Sequence, residues 1–405
     1  MKNIEIIRDA GLCISCGVCA ANCPKDCITY EFSPEGMLCP KVGAGDCVKC
    51  GRCLEVCPSS EFETDIDPDQ ISSYVMGSYH LILKAKCRNR DILKNSTSGG
   101  VVTELIMCLL TSGEYHAAFT VLGYDYHKTL ETVKIEKVDD LKLSFGSRYL
   151  PVSHTEAVKY ICKNQDKRVI IVATSCAMDA ILKSIRLNHL KRENYLLIGL
   201  FCDKTMNYRA MHYFDNIPEV KGNIKEFYFR SKVGSKWPGG VRIVLENNET
   251  ILLPSSIRKN IKDYYAPERC LYCLDKLNKS ADISVGDNYI KKNADEEGIS
   301  SVIIRTHKGQ IAWDNFSPFF EWSQDTEQDL LVSQLIENKR DNFAFGCLKG
   351  VYHYKRRIPC AIRMKYFELM RKRKLGNSDN TYQAVSRDIM SRQLISKIKR
   401  RILKL

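Results

Sequence analysis

Eight cysteines near the N-terminus fall into two copies of one spacing: Cys13, Cys16, Cys19 and Cys23 followed by Pro24, then Cys47, Cys50, Cys53 and Cys57 followed by Pro58. The run C-x2-C-x2-C-x3-C-P suits a 4Fe–4S cubane, which takes three thiolates from one tight turn and the fourth from the Cys-Pro of the other run. The expected sets are therefore Cys13, Cys16 and Cys19 with Cys57, and Cys47, Cys50 and Cys53 with Cys23. Two such clusters in one small unit make a wire for single electrons. Zinc also takes four cysteines, but as two separated pairs rather than a triplet plus one, so a zinc module fits the spacing poorly. Cys27 and Cys39 have no place in the scheme and read as spare buried thiols.

A second set is scattered. Arg168–Thr174 and Tyr195–Phe201 are short continuous aliphatic runs, the pattern of parallel strands buried on both faces, and they end at Ser175-Cys176 and at Cys202. Ligands of open α/β sheets bind at the carboxyl ends of the strands, which puts both cysteines at a site edge. Cys270 and Cys273 form a C-x2-C pair before the strand and turn Ala281–Asp287. Together Cys176, Cys202, Cys270 and Cys273 have the count for a third cluster. Structural thiols and a zinc site are the alternatives, since free cysteine packs as a small hydrophobe. The loop Ser96–Gly100 precedes an apolar helix over Val101–Leu110 and offers free amides to a phosphate. The simpler reading is an N-cap.

The elements that must position these residues alternate strand and helix, which predicts an α/β (α+β) chain. Residues 1–66 read as a bacterial-type two-cluster ferredoxin fold, with the acidic stretch Glu63–Gln70 as its linker. Strands are expected over Tyr79–Lys84 and Ala117–Leu122, and a helix over Met178–Ile185. At 405 residues and 44% hydrophobic, the chain can bury proper cores. Nineteen cysteines without a recognisable signal peptide point to a reducing, cytoplasmic compartment. No apolar run reaches bilayer-spanning length.

The net charge of +13 suggests nucleic-acid binding until it is located. Val351–Leu405 holds 16 Lys/Arg against three acids, 16 − 3 = +13, so the remainder is neutral and no basic nucleic-acid face is expected. In Met390–Leu405, Ile395, Ile398, Ile402 and Leu405 recur at helical spacing among lysines and arginines. A basic helical tail over residues 346–405 follows, either a solvated helix packed on its own domain or a peripheral contact with an anionic membrane or acidic partner.

Several segments occur together in an order that resembles the coenzyme F420 hydrogenase/dehydrogenase beta subunit family, with a fused ferredoxin head. They are Ser98-Gly99-Gly100-Val101-Val102, Gly146-Ser147-Arg148-Tyr149, the strand ends at Cys176 and Cys202, Phe229-Arg230-Ser231-Lys232 with Trp237, Cys270–Cys273 and Asp282–Asp287. The resemblance covers about residues 1–345 and divides the body into 76–154 and 155–345, the family's N- and C-terminal regions. It implies a flavin/iron–sulfur domain in which Ser98, Gly99, Gly100, Ser147, Arg148, Tyr149 and Thr174 face an FAD and Cys176, Cys202, Cys270 and Cys273 hold a nearby cluster. The chain departs from the family's usual Gly-Thr-Pro-Cys-Gln at Ala173-Thr174-Ser175-Cys176-Ala177, and has Asp203 where a histidine is frequent. Similar proteins with ferredoxin heads occur in bacteria without the deazaflavin, often in polysaccharide gene clusters.

The reading that follows is an iron–sulfur flavoprotein oxidoreductase that passes electrons between an organic substrate, a flavin and clusters, and serves a redox partner protein or a small electron donor or acceptor. The alternative is a flavin-free electron-transfer or adaptor subunit, with polysaccharide biosynthesis as one setting. No separate catalytic acid stands out; Arg148, Lys232 and Asp287 are candidates for polar pocket residues.

Overall fold

The computed structural model describes residues 3–62, 66–122, 129–290, 295–353, 357–379 and 381–402, with side chains of the last helix as far as Lys397. In the head, the helices Val18–Ala21 and Arg52–Glu55 each carry the third cysteine of a run, and each follows a left-handed glycine, Gly17 or Gly51. Strands β1 (Ile28–Phe32) and β2 (Leu38–Val42) pair antiparallel beside them. Chain order continues with β3 (Leu81–Cys87), β4 (Ala117–Val121), β5 (Leu130–Ile135), β6 (Val152–Ser153), β7 (Val169–Thr174) and β8 (Tyr195–Leu200). Then come β9 (Ile224–Ser231), β10 (Gly240–Leu245), β11 (Thr250–Leu253), β12 (Ile283–Asp287), β13 (Ser300–Ile304) and β14 (Phe320–Gln324).

Among these strands, nine form one sheet in the order β14-β3-β13-β12-β8-β7-β4-β5-β6, so segments 76–154 and 155–345 share a single sheet. Its centre, β12-β8-β7-β4, is parallel. Helices cover both faces, which is why Val-Ile-Ile-Val-Ala on β7 and Tyr-Leu-Leu-Ile on β8 are apolar throughout and fully buried. Register then fixes the site edge. Thr174 lies opposite Leu200, and Leu200 opposite Val285, so the chain leaves three adjacent strands at one level and carries Cys176, Cys202 and Asp287 there.

The head is seated on the body. Val18 and Val56 are completely buried in the body's core among Ala157, Ala177 and Met178, worth about 1.5–3 kcal/mol each by area. The His154 amide donates to the Cys16 carbonyl at 2.7 Å and the Thr155 hydroxyl to the Gly17 carbonyl at 3.1 Å. Gly17 has φ +78°, and a Cβ there would fall 2.3 Å from the Thr155 hydroxyl, so both the turn and the close approach demand glycine.

Of the linker, Glu63–Asp65 lie outside the described residues; Asp67, Asp69 and Gln70 are exposed, and the tight turn Pro68–Gln70 leads into the helix Ile71–Met76, where packing begins with buried Ile71, Val75 and Met76. The tail helix spans Thr381–Ile402, and its first turns are packed on the body: Val385 is fully buried, half-buried Ile389 shares its core, and the Tyr382 ring meets Tyr213 of the helix Arg209–Asp215 at 5.1 Å between centres. Met390, Leu394 and Ile395 are exposed. The side chains of Ile398, Ile402 and Leu405 lie outside the described residues.

Candidate functional site

Two small voids of equal size, about 20 Å³ each, sit in the head. One is lined by Cys13, Cys16, Cys19 and Cys57, the other by Cys23, Cys47, Cys50 and Cys53. The structure thus separates the eight thiols into two sets of four, each joining one triplet to the Cys-Pro of the other run. Among the described residues no three His, Cys, Asp or Glu side chains close on a point sized for one ion; the thiols face open space instead. Burial pushes the Cys19 thiol up to about 12. At Cys23 burial acts the same way, but the Cys27 and Lys25 amides donating to the sulfur leave it below the ordinary value.

The two spare cysteines are each tied to a run. Cys27 lines the second void and its sulfur lies 3.4 Å from that of Cys23. Cys39 hydrogen-bonds Cys13 from behind the first void. Both are buried thiols, as expected; Cys27 is brought to its run by local chain, four residues after Cys23, and Cys39 by the hairpin β1-β2.

The inner set converges as well. Cys176 and Cys202 each lie within electrostatic reach of Cys270 and Cys273, although the three segments are far apart in sequence. Burial pushes Cys176 to about 12 and raises Cys202 and Cys270. Asn278, fully buried, clips the two strand ends that carry them, its amide donating to the Ala173 carbonyl at 3.0 Å and the Leu200 carbonyl at 3.4 Å. Lys204 and Lys262 stand beside these thiols. Burial lowers Lys276 to about 8, against the raising influence of Asp203. Asp203 itself is held well below the usual range: burial opposes ionisation, and Lys339, Lys262 and Lys204 outweigh it.

Beside the inner thiols lies a cavity of about 400 Å³, within the size range of cofactor pockets. Ser98, Gly100, Ser147, Arg148, Tyr149 and Thr174 line it, with Cys16, Cys176, Cys202 and Cys270 at one end. Gly99 does not. A Cβ there would lie 2.5 Å from the Ala85 carbonyl oxygen, so this glycine lets the loop pack on the sheet. The N-cap reading of the loop also fails: the cap is Gly100 at φ +72° with no side-chain cap bond, because Ser98 Oγ donates to the Ile299 carbonyl at 2.9 Å. The first amides of the helix Val101–Thr111 therefore open on the cavity wall.

Asp287 lines the cavity as expected and Lys232 does not: its ammonium is spent on the Leu93, Ser98 and Glu297 carbonyls, and burial lowers it to about 8. Its neighbour Arg230 takes the place by the cavity, paired with Asp287 through bonds of 2.6 and 3.0 Å and bonded to the Thr97 carbonyl at 2.8 Å. No signal in the sequence separates the two cations, because residues two apart at a strand end fall on the same face. His154 was also missed. It is buried at the joint between head and cavity, and burial pushes its imidazole down to about 4.

With this geometry in hand, comparison with known proteins is specific. Residues 12–60 match the 4Fe–4S dicluster domain, residues 82–159 the N-terminal and residues 166–318 the C-terminal domain of the coenzyme F420 hydrogenase/dehydrogenase beta subunit. An uncharacterised protein of Methanocaldococcus jannaschii is 26% identical over 370 residues, 84% of this chain and 96% of that protein. A coenzyme F420-dependent sulfite reductase of the same organism is 25% identical over 334 residues, 75% of this chain; the chain spans only 46% of that enzyme. The coenzyme F420 hydrogenase subunit beta of Methanothermobacter thermautotrophicus is 25% identical over 58% of this chain and 80% of that subunit. A chain of the F420-reducing NiFe hydrogenase complex from Methanosarcina barkeri shares the fold, with TM-score 0.51, 21% identity and coverage of 66% of this chain and 91% of that one. The chain belongs to the coenzyme F420 hydrogenase/dehydrogenase beta subunit family of oxidoreductases, with a 4Fe–4S dicluster domain for electron transfer at its head.

Proposed function

We propose that the protein is an iron–sulfur flavoprotein oxidoreductase that exchanges electrons between a ligand in the 400 Å³ cavity and the ferredoxin head. The observation that carries this is Cys16. It belongs to a head run, lines the cavity and lies within electrostatic reach of Cys176, so the first head set, the inner thiols and the cavity are contiguous, and Cys19 in turn lies within electrostatic reach of Cys53 in the second head set. Head clusters would be held by Cys13, Cys16, Cys19 and Cys57 and by Cys23, Cys47, Cys50 and Cys53, and a third by Cys176, Cys202, Cys270 and Cys273. The residues fit: each head set is four thiols around a void, three of the inner thiols line the cavity with Cys273 in electrostatic reach, and Lys204, Lys262 and Arg269 are at hand to offset the negative charge of a four-thiolate centre.

An FAD in the cavity would supply the interchange between electron pairs and single electrons. The amides at Val101, the hydroxyls of Ser98, Ser147 and Thr174, and Arg148 with Tyr149 would hold it, Gly99 shaping the loop from behind. Arg230 and Asp287 hold the loop and the wall together, and the seated head keeps bulk water from the joint at His154.

Anaerobic purification followed by an inventory of iron, acid-labile sulfide and flavin tests this. About twelve irons and one FAD per chain are expected, four irons per cubane; eight irons, or no flavin after supplementation, overturns the corresponding part. The second reading, a flavin-free adaptor that feeds a partner enzyme, polysaccharide synthesis included, is favoured by the altered Ala173–Ala177 segment and predicts the iron without the flavin. A reducing, cytoplasmic setting is supported by nineteen cysteines, none in a disulfide. Exposed Leu394 and Ile395 beside Lys397 support a peripheral contact with anionic membrane. Because Val385 is core, the test is Leu394→Glu/Ile395→Glu rather than tail removal; unchanged binding to anionic liposomes sinks the idea.

A further inference from the structure

Arg269 stands between two thiol sets and belongs to neither. It directly precedes Cys270, and its guanidinium lies within electrostatic reach of Cys176, Cys270 and Cys273 on one side. On the other it reaches the Cys-Pro of the head. Its Nε donates to Ser59 Oγ at 3.2 Å and its Nη2 to the Pro58 carbonyl at 3.4 Å, while the Ser59 amide donates to the Cys57 sulfur at 3.4 Å. Cys57 itself is within electrostatic reach of Arg269. The Phe62 ring covers the guanidinium at 4.4 Å from its centre, so this cation is partly shielded from solvent. Lys183, on the helix Ser175–Leu187, is the other cation that lowers Cys57, and acts on it more strongly than Arg269; its ammonium donates to the Cys57 carbonyl at 3.4 Å and pairs with Asp179, so it serves the head set alone while Arg269 faces both.

We infer that Arg269 is a shared countercharge for the Cys57-containing and Cys176-containing centres, setting both of their reduction potentials at once. The inference rests on the reading that the inner thiols hold a cluster. Adding one electron to either centre adds one negative charge, which a fixed guanidinium nearby stabilises; removing that charge makes both harder to reduce. Arginine suits the position because it stays protonated beside thiolates and forks toward two partners. The centre bounded by Cys23, Cys47, Cys50 and Cys53 lies on the far side of the head and has no contact with Arg269 among the described residues.

The experiment uses the full-length, anaerobically reconstituted chain: wild type, Arg269→Gln and Arg269→Lys, each with an iron and sulfide count and a potentiometric titration followed by electron paramagnetic resonance. Expected is a shift of two of three midpoint potentials to more negative values in Arg269→Gln, the third unmoved, with Arg269→Lys closer to wild type. A residue that only braced Ser59 would give no such charge-dependent pattern. Twelve irons with unmoved potentials in Arg269→Gln, or with all three moved alike, overturn the inference. Eight irons in the wild type overturn instead the cluster reading on which it rests. The unmoved far centre reports that the glutamine variant has folded.

Discussion

Each head set and the inner set have four thiols but are assembled in opposite ways. Each head set takes three thiols from seven consecutive residues, over a glycine turn and a one-turn helix, so its geometry is local. The inner set takes Cys176 and Cys202 from just past the ends of β7 and β8, and Cys270 with Cys273 from the short helix Glu268–Leu271 and the turn after it, so its geometry exists only when a nine-stranded sheet is in register. A local set tolerates damage elsewhere in the fold. A distributed set inherits every weakness of the scaffold between its members.

The largest expected effect follows from ligand loss. Cys202→Ser should lower the iron count from about twelve to about eight while the head keeps its own eight, four irons being one cubane. If all twelve remain, Cys202 is no ligand and the contrast collapses. Next comes the scaffold. Asn278→Ala leaves the Ala173 and Leu200 carbonyls without that donor, at about 1–3 kcal/mol each. Chemical denaturation should show the loss, and iron analysis should show inner irons depleted before head irons; equal depletion would mean that the two regions are not independent. Gly17→Ala tests the converse. A left-handed alanine costs about 1–3 kcal/mol, and its Cβ would strike Thr155. The head should keep its irons yet be cut from the body faster by protease near residues 62–70.

The smallest effect concerns the tail helix. Asp388 accepts from Tyr264, Arg371 and Arg392, and these partners, against the raising effect of burial, hold its carboxyl down at about 2. The folded value lies below the ordinary value of about 3.9, so the stabilisation is complete above about pH 4 and fades as pH falls toward 2. Asp388→Asn should flatten that limb of a urea-denaturation profile. If the profile is unchanged, the tail's polar seat contributes nothing measurable.

This contrast also explains what could be read from the chain. The head sets were legible because ligand spacing is itself the geometry. The ends of β7 and β8 were legible because both-face burial leaves an unbroken aliphatic run. Arg230 was not, since a strand bearing Arg-Ser-Lys does not reveal which cation reaches the sheet edge. Gly99 looked like a phosphate-loop glycine because a packing glycine and a binding glycine have the same sequence signature. The tail's helical spacing was visible from Met390 onward, but the residues that seat it, Tyr382, Val385 and Ile389, precede that run, and their partner, the helix Arg209–Asp215, is set by tertiary contacts.

The burial of Val18 and Val56 in the body's core has one more consequence. Many redox chains use a tethered carrier that shuttles between docking positions, with turnover governed by how fast the carrier diffuses. Here the head has no such freedom, because undocking would expose two core valines and break the Gly17–Thr155 contact. The protein is built as a fixed conductor rather than a swinging arm, so internal transfer should be insensitive to solvent viscosity, and any diffusional step belongs to the encounter with the outside partner.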